Sequence, residues 1–272
     1  MKDQSVISTS FIQDSKHVTK SDRFKVITPA AIAQVFADQG LELARLKTGL
    51  ARKIDNQNHQ RTIARYRSKQ DIGIDGVNFD IVVDIPHLSG AGKLYLALFR
   101  QVCSNGLVAQ VGQFLNVRIP HVGNDMEQNL HAGLMQLVGM RQDLVSLVER
   151  MQGTKLDAQG MASFAESMAK HRLVDTQDTV TKIYSEDLLR PRRDIDQKDD
   201  LFTVLNVVQE NMMRYGIRYH AERVVRPANE SLGIPAEIKS FDLKTRPIND
   251  SSVKAIDANL AIWNEARALL AA

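Results

Sequence analysis

The chain reads as an α+β protein: an antiparallel β-meander sheet packed by a long helix, followed by a helical C-terminal half. Three observations predict this. Between Leu41 and Pro120, apolar residues recur with period two in runs separated by Gly-, Asn- and Asp-containing turns. From Leu130 to Met151 the apolar period changes to three and four. The helical spacing returns over 157–172, 200–215 and 252–270. Strands gathered first and helices later argue for segregated layers rather than alternating βα units.

The elements follow in order. Residues 1–22 are polar and read as a loose arm. Phe24–Ile27 is a short strand candidate. Thr28 then stands as an N-cap before Pro29, and Ile32, Val35 and Phe36 give the helix its apolar face up to Gly40. Strand runs at Leu41–Lys53 and His59–Ser68 flank the turn-rich 55–58. In the second run Thr62, Ala64 and Tyr66 alternate with Ile63, Arg65 and Arg67, so the arginines share a face. Runs at Val77–Pro86 and Lys93–Val102 flank Ser89–Gly92, a hairpin turn. Asp80, Val82 and Asp84 alternate there with Ile81, Val83 and Ile85, the pattern of a strand with one solvated side. Asn105-Gly106 suits a tight turn. Gln113–Pro120 is a further strand, with Leu115, Val117 and Ile119 on one face.

A long helix over 125–152, stopped by Gly153, is expected to cover the sheet. Helices at 157–172 and 200–215 follow, then a Pro-, Ser- and Asn-containing loop over 223–252 and a last helix carrying Ile256, Leu260 and Trp263. The expected domains are the arm 1–22, a sheet domain 23–152, a helical part 153–222 packed on it, and a linker with C-terminal helix over 223–272.

With 272 residues, 43% hydrophobic and 25% charged, the chain can bury a substantial core. No apolar run reaches the roughly 18 residues of a membrane span. The first residues show no apolar secretory core, and a single cysteine cannot form an internal disulfide, so a cytoplasmic setting is expected.

The net charge of +3 hides an asymmetry. Arg45, Lys47, Arg52, Lys53, Arg61, Arg65, Arg67 and Lys69 face only Glu42 and Asp55 between Leu41 and Lys69, a local balance of 8 − 2 = +6. Cations so concentrated on paired strands, with Tyr66 among them to stack a base, are the pattern of a nucleic-acid face. Charges that merely solvate and protect a sheet edge are the competing reading. Arg190, Arg192 and Arg193 form a second knot that suits either a phosphate or, in preference, pairing with the Asp194, Asp196, Asp199 and Asp200 cluster, which otherwise reads as a solvated helix N-terminus.

Other chemistry finds less support. Cys103 with His121, His87 and Asn105 contains the groups of a nucleophilic site, but no oxyanion-forming loop adjoins it, and a small packing role for Cys103 is the simpler reading. The seven histidines form no ligand-spaced pair, so no metal and no cofactor is expected. Leu88–Lys93 lacks the spacing and hydroxyl of a phosphate loop.

Two blocks carry a family resemblance. The first is Arg100, Val102-Cys103-Ser104-Asn105-Gly106-Leu107-Val108 and then Arg118-Ile119-Pro120-His121. The second is Pro191-Arg192-Arg193, the acidic 196–200 linker, and Val208-Gln209-Glu210-Asn211-Met212. In these the chain resembles the YafZ/YfjQ/YubP family of phage- and plasmid-associated bacterial proteins, over most of residues 20–216 and more weakly from Arg223. Where that family often carries Asn-Ser-His-Asp-Gly, this chain has Asp84 to Gly92 with only His87 and the glycine turn retained. The resemblance implies a mobile-element setting and no established enzyme activity. A meander crossed by a helix also describes phage strand-annealing proteins, at the level of fold alone.

The expected function is therefore non-enzymatic binding of nucleic acid, single-stranded DNA in preference, in recombination or annealing, with a homo-oligomer expected. The alternatives are an inhibitor of a host defence protein, using an exposed apolar patch near Trp263, Met212 and Met213, and a hydrolase using Cys103.

Overall fold

The computed structural model describes residues 16–48, 59–70, 72–74, 76–100, 105–109, 116–123, 125–174, 176, 179–228, 235–248 and 253–271. It is α+β, and divides into two compact units, Met1–Ser146 and Leu147–Ala272.

In the N-terminal unit, α1 (Pro29–Ala37) begins at Thr28, whose hydroxyl accepts a hydrogen bond from the Ala31 amide at 3.1 Å. Five strands follow: β1 (Leu41–Thr48), β2 (Thr62–Ser68), β3 (Val77–Ile85), β4 (Gly92–Arg100) and β5 (Asn105–Ala109). They form an antiparallel sheet in sequence order, and β6 (Val117–Ile119) also pairs with β4. The 86–91 turn joins β3 to β4 as expected, with Gly90 at a φ of 90° that favours glycine.

One sheet face is the core. Tyr66, Ile81, Val83, Leu94, Leu96 and Ile119 are buried there. Helices α1 and α2 (Met126–Gly139) cover it with Ile32, Phe36, Leu130 and Leu134. Gly133 allows the closest approach, since a Cβ there would stand 2.6 Å from Val117 Cγ1.

Several expectations need correction. The opposite face of β3 and β4 is not solvated: Asp80, Asp84 and Ala97 have no exposed surface, and Val82, Tyr95 and Phe99 are buried. The alternation of Asp with apolar residues reflects buried carboxylates with counter-charges rather than contact with water. Asn105 and Gly106 lie within β5, paired with Arg100 and Phe99, and not in a turn. Phe24 makes a single bridge to Val122 instead of a strand. The arm is not loose throughout, because His17 is buried with its ring against His59. The long helix is two, α2 and α3 (Arg141–Gly153), broken at Gly139-Met140, where glycine weakens the helix.

The C-terminal unit holds α4 (Ala158–Leu173), capped by Asp157, and α6 (Leu201–Glu210), capped by Asp200. Between them lie β7 (Thr179–Ile183) and the short α5 (Ser185–Leu188). All ten residues of α6 are buried, and the chain continues as a π turn over Asn211–Tyr215. The expected loop over 223–252 is instead largely a hairpin, β8 (Arg218–Arg226) and β9 (Glu237–Lys244), which completes a three-stranded sheet with β7. Its strands are exposed over most of their length, so no period-two apolar stripe marks them. Helix α7 (Val253–Leu269) buries Ile256, Leu260, Ile262 and Trp263.

Gly216, between the π turn and β8, has φ 78° and ψ 175°, and a Cβ there would overlap the Thr245 carbonyl oxygen. That backbone region alone costs a non-glycine residue about 1–3 kcal/mol. Gly216→Ala is expected to lower the unfolding free energy from denaturant melts by at least that amount, and a midpoint unchanged from wild type would show that the strand entry relaxes freely.

Candidate functional site

Period two sends Arg61, Arg65 and Arg67 to the sheet face away from α1 and α2, as expected. Register then decides what they meet. Arg65 stands opposite Val82 and Arg67 opposite Asp80, with Ile63 opposite Asp84. Arg67 Nε donates to Asp80 Oδ1 at 3.1 Å, and Arg65 Nε makes a charge contact with Asp80 Oδ2 at 3.1 Å. Arg61 makes a two-pronged ion pair with Asp84 through Nε and Nη2. Both guanidiniums of Arg65 and Arg67 lie over the Phe99 ring, 3.9 and 4.2 Å from its centroid. Burial pushes the Asp80 carboxyl above its ordinary value, and the hydrogen bond and charges of Arg67 and Arg65 pull it back.

Tyr66 does not join this set. It points to the core, its ring 4.4 Å from that of Phe36, and burial pushes its hydroxyl up to about 12. The same alternation that gathers the arginines excludes it from stacking a base. Lys69 pairs with Glu42 at 2.6 Å, both exposed. Arg45 and Lys47 lie half-buried on β1, beside Arg65 and Ile63. Arg52 and Lys53 fall outside the described residues.

Cross-strand register also recruits two cations from outside the 41–69 stretch. At one end of the sheet Lys47 is opposite Ile63, Ile63 opposite Asp84, Asp84 opposite Lys93, and Lys93 opposite the exposed Arg118. One face therefore carries Arg45, Lys47, Arg61, Arg65, Arg67, Lys93 and Arg118 against Asp80, Asp84 and Glu42, the last opposite Arg67. Lys93 escaped notice because only the pairing of β4 places it there. The role of Asp80 and Asp84 was signalled by carboxylates alternating in an apolar strand.

The other family-motif residues have structural positions. Arg100 ends β4, buried between Val77 and Asn105. His121 is buried, stacked on Phe24 at 4.5 Å, with Nδ1 2.9 Å from the Lys25 carbonyl. His87 lies buried with Nε2 3.1 Å from the Thr62 hydroxyl. Cys103 falls outside the described residues. No group of three or more ligand-type side chains suited to a metal occurs among the described residues.

In the C-terminal unit, Arg193 donates to both Glu210 oxygens at 2.7 and 2.9 Å and to Asp196 at 3.1 Å. Arg192 Nε donates to Asn211 Oδ1 at 2.8 Å, and Asn211 Nδ2 donates to the carbonyls of Leu188 and Arg190. Gln209 donates to Asn259 at 2.7 Å. The expected pairing of the arginine knot with the aspartates thus occurs through Asp196, while Glu210 was the partner missed. Asp196 and Asp200 are buried and not part of a solvated helix end.

The family model for a domain of unknown function, DUF932, matches residues 16–261, so the similarity runs through β8 and β9 into α7. The UPF0380 protein YafZ of Escherichia coli (strain K12) is 24% identical over 266 residues, covering 97% of this chain and 89% of its own. The UPF0380 protein YfjQ of the same strain is 24% identical over 212 residues, 78% of this chain and 76% of its own. No solved structure matches.

Two outcomes follow from the buried charges. Arg193→Ala removes both of its hydrogen bonds to buried Glu210, which keeps only Arg214 at 3.4 Å, and its ion pair with buried Asp196, and is expected to lower stability by about 3 kcal/mol in denaturant melts; a loss below ~1 kcal/mol would mean that water reaches them. Burial pulls the His87 imidazole down to about 4, with His121 and His59 acting the same way. The folded state holds His87 neutral while the unfolded chain takes up a proton near 6.5, so this stability is present above 6.5 and lost as pH falls through 4. The pH dependence of unfolding free energy is expected to flatten across that window in His87→Gln, and identical slopes in the two proteins would refute the assignment.

Proposed function

The chain belongs to the DUF932 family, and from its own geometry we propose that it is a non-enzymatic nucleic-acid-binding protein that holds single-stranded DNA along the cationic sheet face. The observation that carries this reading is the seven cations against three carboxylates on that face, with Lys47, Lys93 and Arg118 in one row across the strands. A row of cations on a sheet follows a phosphate backbone without any groove-entering helix. The cations divide into two roles. Arg61, Arg65 and Arg67 neutralise Asp84 and Asp80 and hold the sheet together. Lys93 and the exposed Arg118 supply charge beyond that neutralisation, which a polyanion meets. A mobile-element role in recombination or strand annealing, in the cytoplasm and as a homo-oligomer, is the setting this reading fits. No helix among the described residues is long and apolar enough to cross a membrane.

Inhibition of a host defence protein has less support. The residues expected to form its apolar patch, Trp263, Met212 and Met213, are at most 4% exposed and belong to the core. Hydrolysis through Cys103 rests on a residue outside the described ones.

The test is anisotropy of a labelled single strand and of its duplex across a salt series, with light scattering on the same samples. Lys93→Ala/Arg118→Ala is expected to weaken single-strand binding and to reduce the logarithmic salt slope by about 1.4, from roughly 0.7 per phosphate contact. Its unfolding midpoint should match wild type, which separates it from replacement of the three β2 arginines. Wild-type protein that binds neither form at low salt, or a double variant with unaltered affinity and slope, would remove the sheet face from consideration.

A further inference from the structure

The C-terminal unit contains a cavity of about 850 Å³ bordered by α4, the 245–248 segment and α7. That volume lies within the ~300–1,000 Å³ of small-molecule sites. Met168, Leu173, Met212 and Ile262 give it an apolar wall, and all four are buried. Its charged lining is lopsided. Arg172, Arg246, Lys254 and His171 face a single carboxylate, Asp257. His171 lies 3.5 Å from Glu265, so the excess rests on the other three cations.

Arg172 is the informative group. Its Nη1 donates to the Met212 carbonyl at 2.6 Å and its Nη2 to the Arg246 carbonyl. These carbonyls fix the guanidinium plane but carry no formal charge to cancel it. Burial draws Arg172 below its ordinary value, and no carboxylate among the described residues pairs with it. A cation held rigidly, partly desolvated and lacking a counter-ion attracts an anion far more strongly than a solvated one.

We propose that this cavity binds a small amphipathic anion, its carboxylate, sulfonate or phosphate head on Arg172 between Arg246 and Lys254, and its apolar body against Met168, Met212 and Ile262. The site is independent of the sheet-face reading, because none of its residues belongs to the N-terminal unit.

The full chain is titrated with anilinonaphthalene sulfonate by fluorescence, beside the uncharged phenylnaphthylamine of similar shape. Saturable binding of one sulfonate per chain is expected, tighter than that of the neutral probe and displaced by decanoate or decyl phosphate but not by decanol. Arg172→Gln should weaken the sulfonate about tenfold or more while leaving the neutral probe unchanged. Lys254→Gln, at an exposed position, should weaken it with no change in unfolding midpoint, and decides the matter if Arg172→Gln does not fold. Equal affinity for the two probes, no saturable binding, or sulfonate affinity untouched by the Lys254 change would overturn the proposal.

Discussion

Two carboxylates with no exposed surface, Asp80 and Asp84, sit in the central strand of the larger sheet, and much of the N-terminal unit is arranged to accommodate them. A buried carboxylate without a counter-charge is strongly destabilising, so β2 must present cations at matching positions. Arg61, Arg65 and Arg67 do so at period two, and Phe99 on β4 offers a ring for two of the guanidiniums. The pairing also fixes register. A slip of one residue between β2 and β3 would bring the arginines to the core face and the aspartates opposite Tyr66 and Thr62, or opposite Ser68 and Ala64. The cationic stripe is therefore a folding device first, and whatever it binds meets only the charge left after the aspartates are neutralised.

The same logic recurs in the C-terminal unit. Helix α6 is buried on every side, yet Gln209, Glu210 and Asn211 end it with polar groups. Each has a partner: Gln209 Nε2 donates to Asn259, Glu210 pairs with Arg193 and Arg214, and Asn211 bonds Arg192 and two carbonyls. The widened turn over 211–215 redirects Asn211 towards the 188–190 segment. The second motif block thus corresponds here to a largely buried polar network that ties the end of α6 to the 188–196 segment and to α7.

Local signals in the chain revealed most of the first unit. Thr28-Pro29, the 89–92 turn and the alternation in β2, β3 and β4 each act over a few residues, and each lies where it was read. What failed depended on neighbours that are distant in sequence. Whether the Asp80 face met water could not be judged from β3 alone, since its counter-charges lie in β2. Tyr66 was placed with the arginines by proximity in sequence, against the alternation that separates them. The β8–β9 hairpin lacked an apolar stripe because it buries little, and prolines at 227, 235 and 247 gave it the look of a loop. At the cationic face, the β2 residues were readable and Lys93 was not.

That hairpin has a consequence for motion. Burial in β8 is concentrated at its start, where Tyr219 and Ala221 are enclosed, whereas Val224 and Val225 are exposed and Ile238 faces solvent across from Val224. Backbone hydrogen bonds near Ile217 and Thr245 are thus shielded by packing, and those towards Arg226 and Glu237 have little apolar cover. Opening free energy should accordingly fall along the strand pair, with amide exchange quickening steadily from residue 219 to residue 226. The small sheet behaves as a hinge leaf anchored at one end, stiff where it joins the core and yielding at its far margin.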